Sequence, residues 1–139
     1  MTTHDESLTK FVCDLMPFAG VLGLRVVTSD KTGAVATAMW RADLCTSANI
    51  LHGGALMAMA DTIGALAAFN HLPEGAGTST IESKTNFLRG GTEADGEITI
   101  TATPIHTGRT TIVVQTDITR ADGKLITRTT QTQAVLTTR

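Results

Sequence analysis

Long apolar runs are missing from this chain. The longest one is broken at Asp61 and Thr62, short of the ~20 residues a membrane-crossing helix needs. Basic clusters are missing too. Eleven Lys and Arg against 13 Asp and Glu give a formal net charge of −2 and a pI near 6.0, with no electrostatic footprint for nucleic acid or an anionic membrane. Cysteine is scarce, and Cys13 and Cys45 stand in no metal-ligand or redox spacing, so both are expected as plain thiols in a reducing compartment. His4, His71 and His106 lie far apart and read as surface or turn residues, which leaves no metal site to expect. There is no GxxxxGK(S/T) phosphate cradle and no dinucleotide fingerprint. The first residues include Asp5 and Glu6 and no apolar core of a secretory signal. These absences leave the expectation of a soluble cytoplasmic protein, and 139 residues without repeats, linkers or low-complexity tracts suit one domain over 1–139.

What is present is a clear order of elements. From Asp5 to Met16, Leu8, Phe11, Val12, Leu15 and Met16 keep helical spacing, with acids at the start and Pro17 at the end. Leu22 to Ser29 and Ala34 to Trp40 read as strands around the turn Asp30-Lys31-Thr32-Gly33, followed by a polar loop from Arg41 to Asn49. A helix is predicted from Gly53 to about Phe69. Four segments rich in Thr, Ile and Val follow, roughly Ser79–Leu88, Gly96–His106, Thr110–Arg120 and Lys124–Thr137. Turn signals separate them at Gly90-Gly91, Thr107-Gly108-Arg109 and Ala121-Asp122-Gly123. The sum is an α+β fold, a largely antiparallel six-stranded sheet with one long helix across a face.

The central helix carries the most informative residue. Turned by 100° per residue, Leu56, Met59, Ile63 and Leu66 share one face, while Asp61 runs with Gly54, Ala58, Ala65 and Ala68 on the other. An Asp buried in such a segment without a partner costs several kcal/mol. Either it serves chemistry, or Thr and backbone groups satisfy it. The small side chains around it let a ligand or a second helix approach closely, and a face left uncovered by its own sheet predicts a symmetric partner.

This order of elements resembles the hotdog-fold acyl-CoA thioesterases, most closely the branch with phenylacetyl-CoA and 4-hydroxybenzoyl-CoA thioesterases. The likeness rests on His52-Gly53-Gly54, on Asp61 nine positions after His52, and on Asn86-Phe87-Leu88-Arg89 ending the next strand, and it runs from Pro17 to the last strand. The resemblance implies a single hotdog domain, a six-stranded antiparallel sheet wrapped around the long helix, with a short helix before it. It also implies hydrolysis of an acyl-CoA thioester in a dimer or a dimer of dimers, with no metal or organic cofactor. In that reading the Gly53 N–H polarises the thioester carbonyl, Asp61 is general base or attacking carboxylate, and His52 holds the loop and thioester. Thr80 contacts the nucleophile or water. Relatives usually place Asn or Gln six positions before the His and often Gly three before it, where this chain has Thr46 and Asn49. Either Asn49 supplies the missing amide or Thr46 does a weaker version of that job.

The residue chemistry leads the same way. N–H groups at a helix start suit the oxyanion of thioester hydrolysis, and glycines there let an acyl group close to the backbone. Gly54, Met57 and Ala58 are candidates for lining the substrate's path. Arg89, Arg109 and Lys84 are candidates for the CoA phosphates, each with the alternative of a solvated strand-end charge. Thr80 falls in step with Glu82, Lys84 and Asn86 on an ideal strand, so it is either a site residue or an ordinary sheet threonine. His52 is either catalytic or a loop anchor. Gly53 and Asp61 lie about 12 Å apart along one helix, too far to serve one thioester, so a two-fold axis near Met57 is expected to bring Gly53 of one chain beside Asp61 of another. Two other functions stay open: a non-catalytic acyl-CoA-binding or regulatory module, and a hotdog dehydratase or hydratase acting on acyl thioesters.

Overall fold

The computed structural model describes residues 2–137, so the expected span of 1–139 extends past it by Met1, Thr138 and Arg139. Helix α1 (Glu6–Leu15) starts at Asp5, whose carboxylate accepts the Leu8 N–H at 2.9 Å. Met16, forced out of the helical region by the proline that follows, breaks the chain direction. Pro17 was expected only to end this helix. It also starts a second one, α2 (Pro17–Leu22), because its preset φ and missing N–H suit a first helical position. Helix α2 stops at Gly23, left-handed at φ 72°, so Leu22 belongs to a helix and the first strand begins three residues later than expected.

The strands are β1 (Arg25–Asp30), β2 (Gly33–Met39), β3 (Gly77–Phe87), β4 (Glu97–Thr107), β5 (Thr111–Thr119) and β6 (Leu125–Leu136). They form one antiparallel sheet in the order β1-β2-β4-β5-β6-β3. Helix α3 (Gly53–Phe69) joins β2 to β3 and lies over the sheet, which carries β3 to the edge opposite β1. The expected large face is the buried one: Leu56, Met59, Ile63 and Leu66 are at most 3% exposed and share the core with Ile98, Ile100, Ile112 and Ile118. Gly54, Ala58, Asp61 and Ala65 form the open face. Ala68, expected among them, is fully buried and belongs to the core, so the open stripe of small residues stops short of the helix end.

The inner surface of the sheet changes character from one side to the other. Under β2 and β4 it is Ala and Ile, but along β6 the inward positions are Thr127, Thr129, Gln131 and Gln133, each no more than 1% exposed. Buried polar groups require partners. Asp61 faces this polar band across α3.

Candidate active site

Asp61 is half-buried, and its two carboxylate oxygens have different surroundings. Oδ1 accepts the Thr80 hydroxyl at 2.7 Å and the Gln131 amide Nε2–H at 2.9 Å. Gln133 in turn donates Nε2–H to Thr80 Oγ1 at 2.6 Å, which commits the single hydroxyl proton of Thr80 to the carboxylate. Thr78 completes the row, donating to the Ala134 carbonyl at 2.8 Å. Among the described residues Oδ2 has no hydrogen-bond donor and Asp61 makes no ion pair, so neutral dipoles hold its charge on one side and leave the other oxygen available. Thr62 does not help, because its hydroxyl turns back to the Ala58 carbonyl at 2.7 Å. Asp61, Thr80 and Gln133 line a pocket of about 390 Å³ between α1, α3 and the start of β3.

Thr80 reaches Asp61 because β3 is irregular. Thr80 pairs with Gln133 and Glu82 with Thr132, so Ile81 is an extra residue in the ladder. The bulge reverses the alternation: Thr78, Thr80, Ser83 and Thr85 turn inward, and Glu82, Lys84 and Asn86 turn outward. The expectation that Thr80 shares a face with those three is thereby corrected. Lys84 bonds Asn86 Oδ1 at 2.9 Å on the outer surface, and Arg109 is exposed in the β4–β5 turn, so neither lines the pocket of Asp61 or that of Gly53.

The start of α3 forms a second locus. His52 caps the helix, its Nδ1 accepting the Gly54 N–H at 2.8 Å, which puts the proton of a neutral ring on Nε2. The Gly53 N–H has no acceptor among the described residues. Gly53, Thr46, Leu56, Phe87 and Arg89 line a pocket of about 460 Å³. A side chain at Gly53 would meet the Phe87 ring at 3.0 Å, so the backbone there is open only because the residue is glycine. Of the two loop candidates, Thr46 lines this pocket. Asn49 is exposed at φ 58°, where asparagine serves a turn, and its carbonyl accepts the Trp40 indole N–H at 3.3 Å. Ala58 and Gly54 lie with His52 in a third pocket of about 260 Å³, and Met57 is half-buried on the adjoining helix surface.

Gln131, Gln133 and Thr78 are the residues sequence reasoning missed. Strand β6 is polar at successive positions from Thr127 to Gln133, which reads as solvent exposure on both faces. The available signal was that a strand with no apolar face can lie under a helix only if the helix offers polar groups, and α3 has Asp61. Gly64 was a second signal. A methyl group there would overlap Gln131 Oε1, so this mid-helix glycine makes room for the buried amide.

His4 was expected on the surface. Its ring is instead buried, 7% exposed, with Nε2 at 2.8 Å from Thr37 Oγ1, because the chain before α1 packs over β2. His71 and His106 lie in the turn after α3 and on the exposed end of β4. Among the described residues no group of His, Cys, Asp and Glu could hold a metal, and no helix is long and apolar enough to cross a membrane.

Comparison with known proteins points in one direction. The family model described as the thioesterase superfamily matches residues 48–127, from the loop before α3 to the start of β6. A Haemophilus influenzae protein provisionally named an esterase is 41% identical over 76 residues, 55% of this chain and 54% of that relative, so the match spans about half the relative's length. A crystal structure of a thioesterase from Haemophilus influenzae superposes with a TM-score of 0.86 at 30% identity, covering 99% of this chain and 93% of that one. A variant of a Pseudomonas aeruginosa thioesterase gives 0.85 at 27% identity over 96% and 95%.

Proposed function

This chain belongs to the thioesterase superfamily, with the hotdog fold of its structural relatives, and we propose that it hydrolyses an acyl-CoA thioester to the free acid and CoA. The observation that carries the reading is the asymmetric carboxylate of Asp61. One oxygen is pinned by Thr80 and Gln131, and the other has no donor among the described residues, on a residue that lines a substrate-sized pocket. In the general-base form, Oδ2 takes a proton from water as the water oxygen attacks the thioester carbon. In the nucleophilic form, Oδ2 attacks that carbon itself and water cleaves the resulting anhydride. Both forms place negative charge on the carbonyl oxygen, and collapse of the tetrahedral intermediate expels the CoA sulfur, which leaves as the thiol once protonated.

The oxyanion needs a donor ~3 Å away, and the Gly53 N–H at the positive end of α3, which has no acceptor among the described residues, suits it. One chain does not supply both groups to one thioester. Eight residues separate them, about 12 Å along the helix, and they line different pockets. Two copies of α3 running antiparallel through their open faces would place Gly53 of one beside Asp61 of the other, in a dimer or a dimer of dimers. His52 then holds the loop that presents Gly53, Thr46 borders the carbonyl site, and Arg89 is the cation placed to meet CoA phosphate.

The test is subunit complementation. Asp61→Asn and Gly53→Val are each expected to lose ~10²–10⁴ in turnover while keeping their circular dichroism spectra. Mixed in equal amounts under exchanging conditions, they should recover roughly a quarter of wild-type sites, because each mixed dimer has one intact site and one doubly damaged one. Near-normal turnover of Asp61→Asn removes its catalytic role. Demonstrated exchange without recovery removes the shared site. A wild-type protein that binds acyl-CoA but releases no thiol from any of a panel of thioesters is a binding module.

A further inference from the structure

The pocket beside Asp61 has two unlike ends. Near the carboxylate its wall is Thr78, Thr80 and Gln133, whose polar atoms are engaged with one another and with Asp61. Away from it the wall is Leu15, Met16, Leu66, Phe69 and Leu72, contributed by α1, α3 and the turn after α3. Phe69 follows Asp61 by eight helical residues, so the apolar part extends about 12 Å from the carboxylate. Among the described residues Asp61 is the one charged residue that lines this pocket, and no Lys, Arg or His does. Leu15 and Phe69 are 55% and 44% exposed, although Val12 on α1 and Leu66 on α3 are buried in the core. Phe69 has Phe11 beside it, ring centroids 6.0 Å apart, and the two form an apolar rim at the far end.

Accepting that Asp61 acts on the thioester, we infer that this pocket is the acyl subsite and that it selects an uncharged, apolar acyl group against one ending in a carboxylate. An apolar chain running from the thioester carbon along α3 would cover Leu66 and Phe69, surface that is otherwise left to water. A distal carboxylate in the same place would lose its hydration to a wall with no cation among the described residues, in the same pocket as a second carboxylate. Selectivity then comes from the unpaired charge of the wrong substrate, which a fitted site rejects more strongly than it rejects a change of one methylene.

The experiment uses acyl groups of equal length. Hexanoyl-CoA is expected to exceed adipoyl-CoA in kcat/KM by at least on the order of a hundredfold. The non-hydrolysable thioethers hexyl-CoA and carboxypentyl-CoA should differ in affinity in the same sense by calorimetry, a measurement that needs no turnover. Phe69→Lys places a cation at the distal end, on an exposed last-turn position where lysine suits the helix, and should narrow the hexanoyl-to-adipoyl ratio by roughly tenfold or more. Ala65→Phe fills the middle of the pocket and should lower the ratio of hexanoyl-CoA to acetyl-CoA turnover by roughly tenfold. If no thioester is hydrolysed but the thioethers keep their affinity ratio, the hydrolytic reading falls and the acyl subsite stands. A thioether ratio near one, or variants that leave both ratios where they were, overturns the subsite whatever the turnover.

Discussion

Replacing Gln131 isolates what the buried amide does for Asp61. Gln131→Met keeps the length and volume of the side chain but removes the Nε2–H that reaches Asp61 Oδ1 at 2.9 Å. Thr80 then remains as the single donor to the carboxylate. A hydrogen bond to a charged group contributes about 1.5–3 kcal/mol. If that interaction orients Oδ2 in the transition state, its loss lowers kcat by roughly tenfold to a hundredfold, since each factor of ten is about 1.4 kcal/mol. The fold should tolerate the change, because the Gln131 carbonyl oxygen is already buried without a partner and methionine removes that unsatisfied atom as well. Gln131→Glu provides the signature. Ionised, it sets a second carboxylate against Asp61; protonated, its O–H can donate where the amide did. Activity of Gln131→Glu should therefore climb toward wild type as the pH falls, while the Gln131→Met deficit stays constant. Following thioester absorbance directly avoids a thiol reagent whose response changes with pH. Turnover of Gln131→Met within about twofold of wild type, or a Gln131→Glu profile that superimposes on the wild-type one, would refute the reasoning.

Two further changes test the supports of the site. Gly64→Ala should destabilise by about 1–3 kcal/mol in denaturant titration, although alanine favours the helix, because its methyl group displaces the Gln131 amide. Turnover should fall with it, and a stabilised, fully active Gly64→Ala would show that the amide can settle elsewhere. Asp95→Asn should lower Tm at neutral pH by about 3–8 °C, because Asp95 accepts from Thr92 N at 2.7 Å and from Arg120 Nε at 2.9 Å, tying the β3–β4 connection to the end of β5. Burial pushes this carboxyl up, but the Thr92 and Arg120 donors outweigh it and hold it below the ordinary value of 3.8. A depressed folded-state value adds stability that is complete above the unfolded value and lost as pH falls through the folded one. The gap between wild type and Asp95→Asn should therefore shrink below pH ~3.8. An equal gap at pH 7 and pH 3 would mean that the ion pair does not contribute.

Helix α3 was legible in the sequence to its end residues, because glycines mark its start and its apolar positions keep one period for 17 residues. Asp61 stood out for the same reason: a single charge is conspicuous in a segment where every neighbour is small or apolar. Gly53 and His52 followed from their place at the helix start, where backbone N–H groups are left over. The six strands were legible from Thr, Ile and Val content: β1 begins three residues late, where Gly23 ends an unexpected helix, and the other strand ends differ from the expected ones by one or two residues.

Strand order and the orientation of polar side chains were decided by tertiary structure. Spacing along the chain says nothing of β3 crossing to the edge beside β6, yet that crossing brings Thr80 and Gln133 together from 53 residues apart. An ideal alternation puts Thr80 on the face of Lys84, and one extra residue at Ile81 reverses it, because a strand's period of two inverts with any single insertion. Gln131 and Gln133 look like solvent residues until α3 covers them. A polar side chain does not encode its own burial, and only the packed helix, with Asp61 as acceptor and Gly64 as clearance, makes an amide there less costly than water.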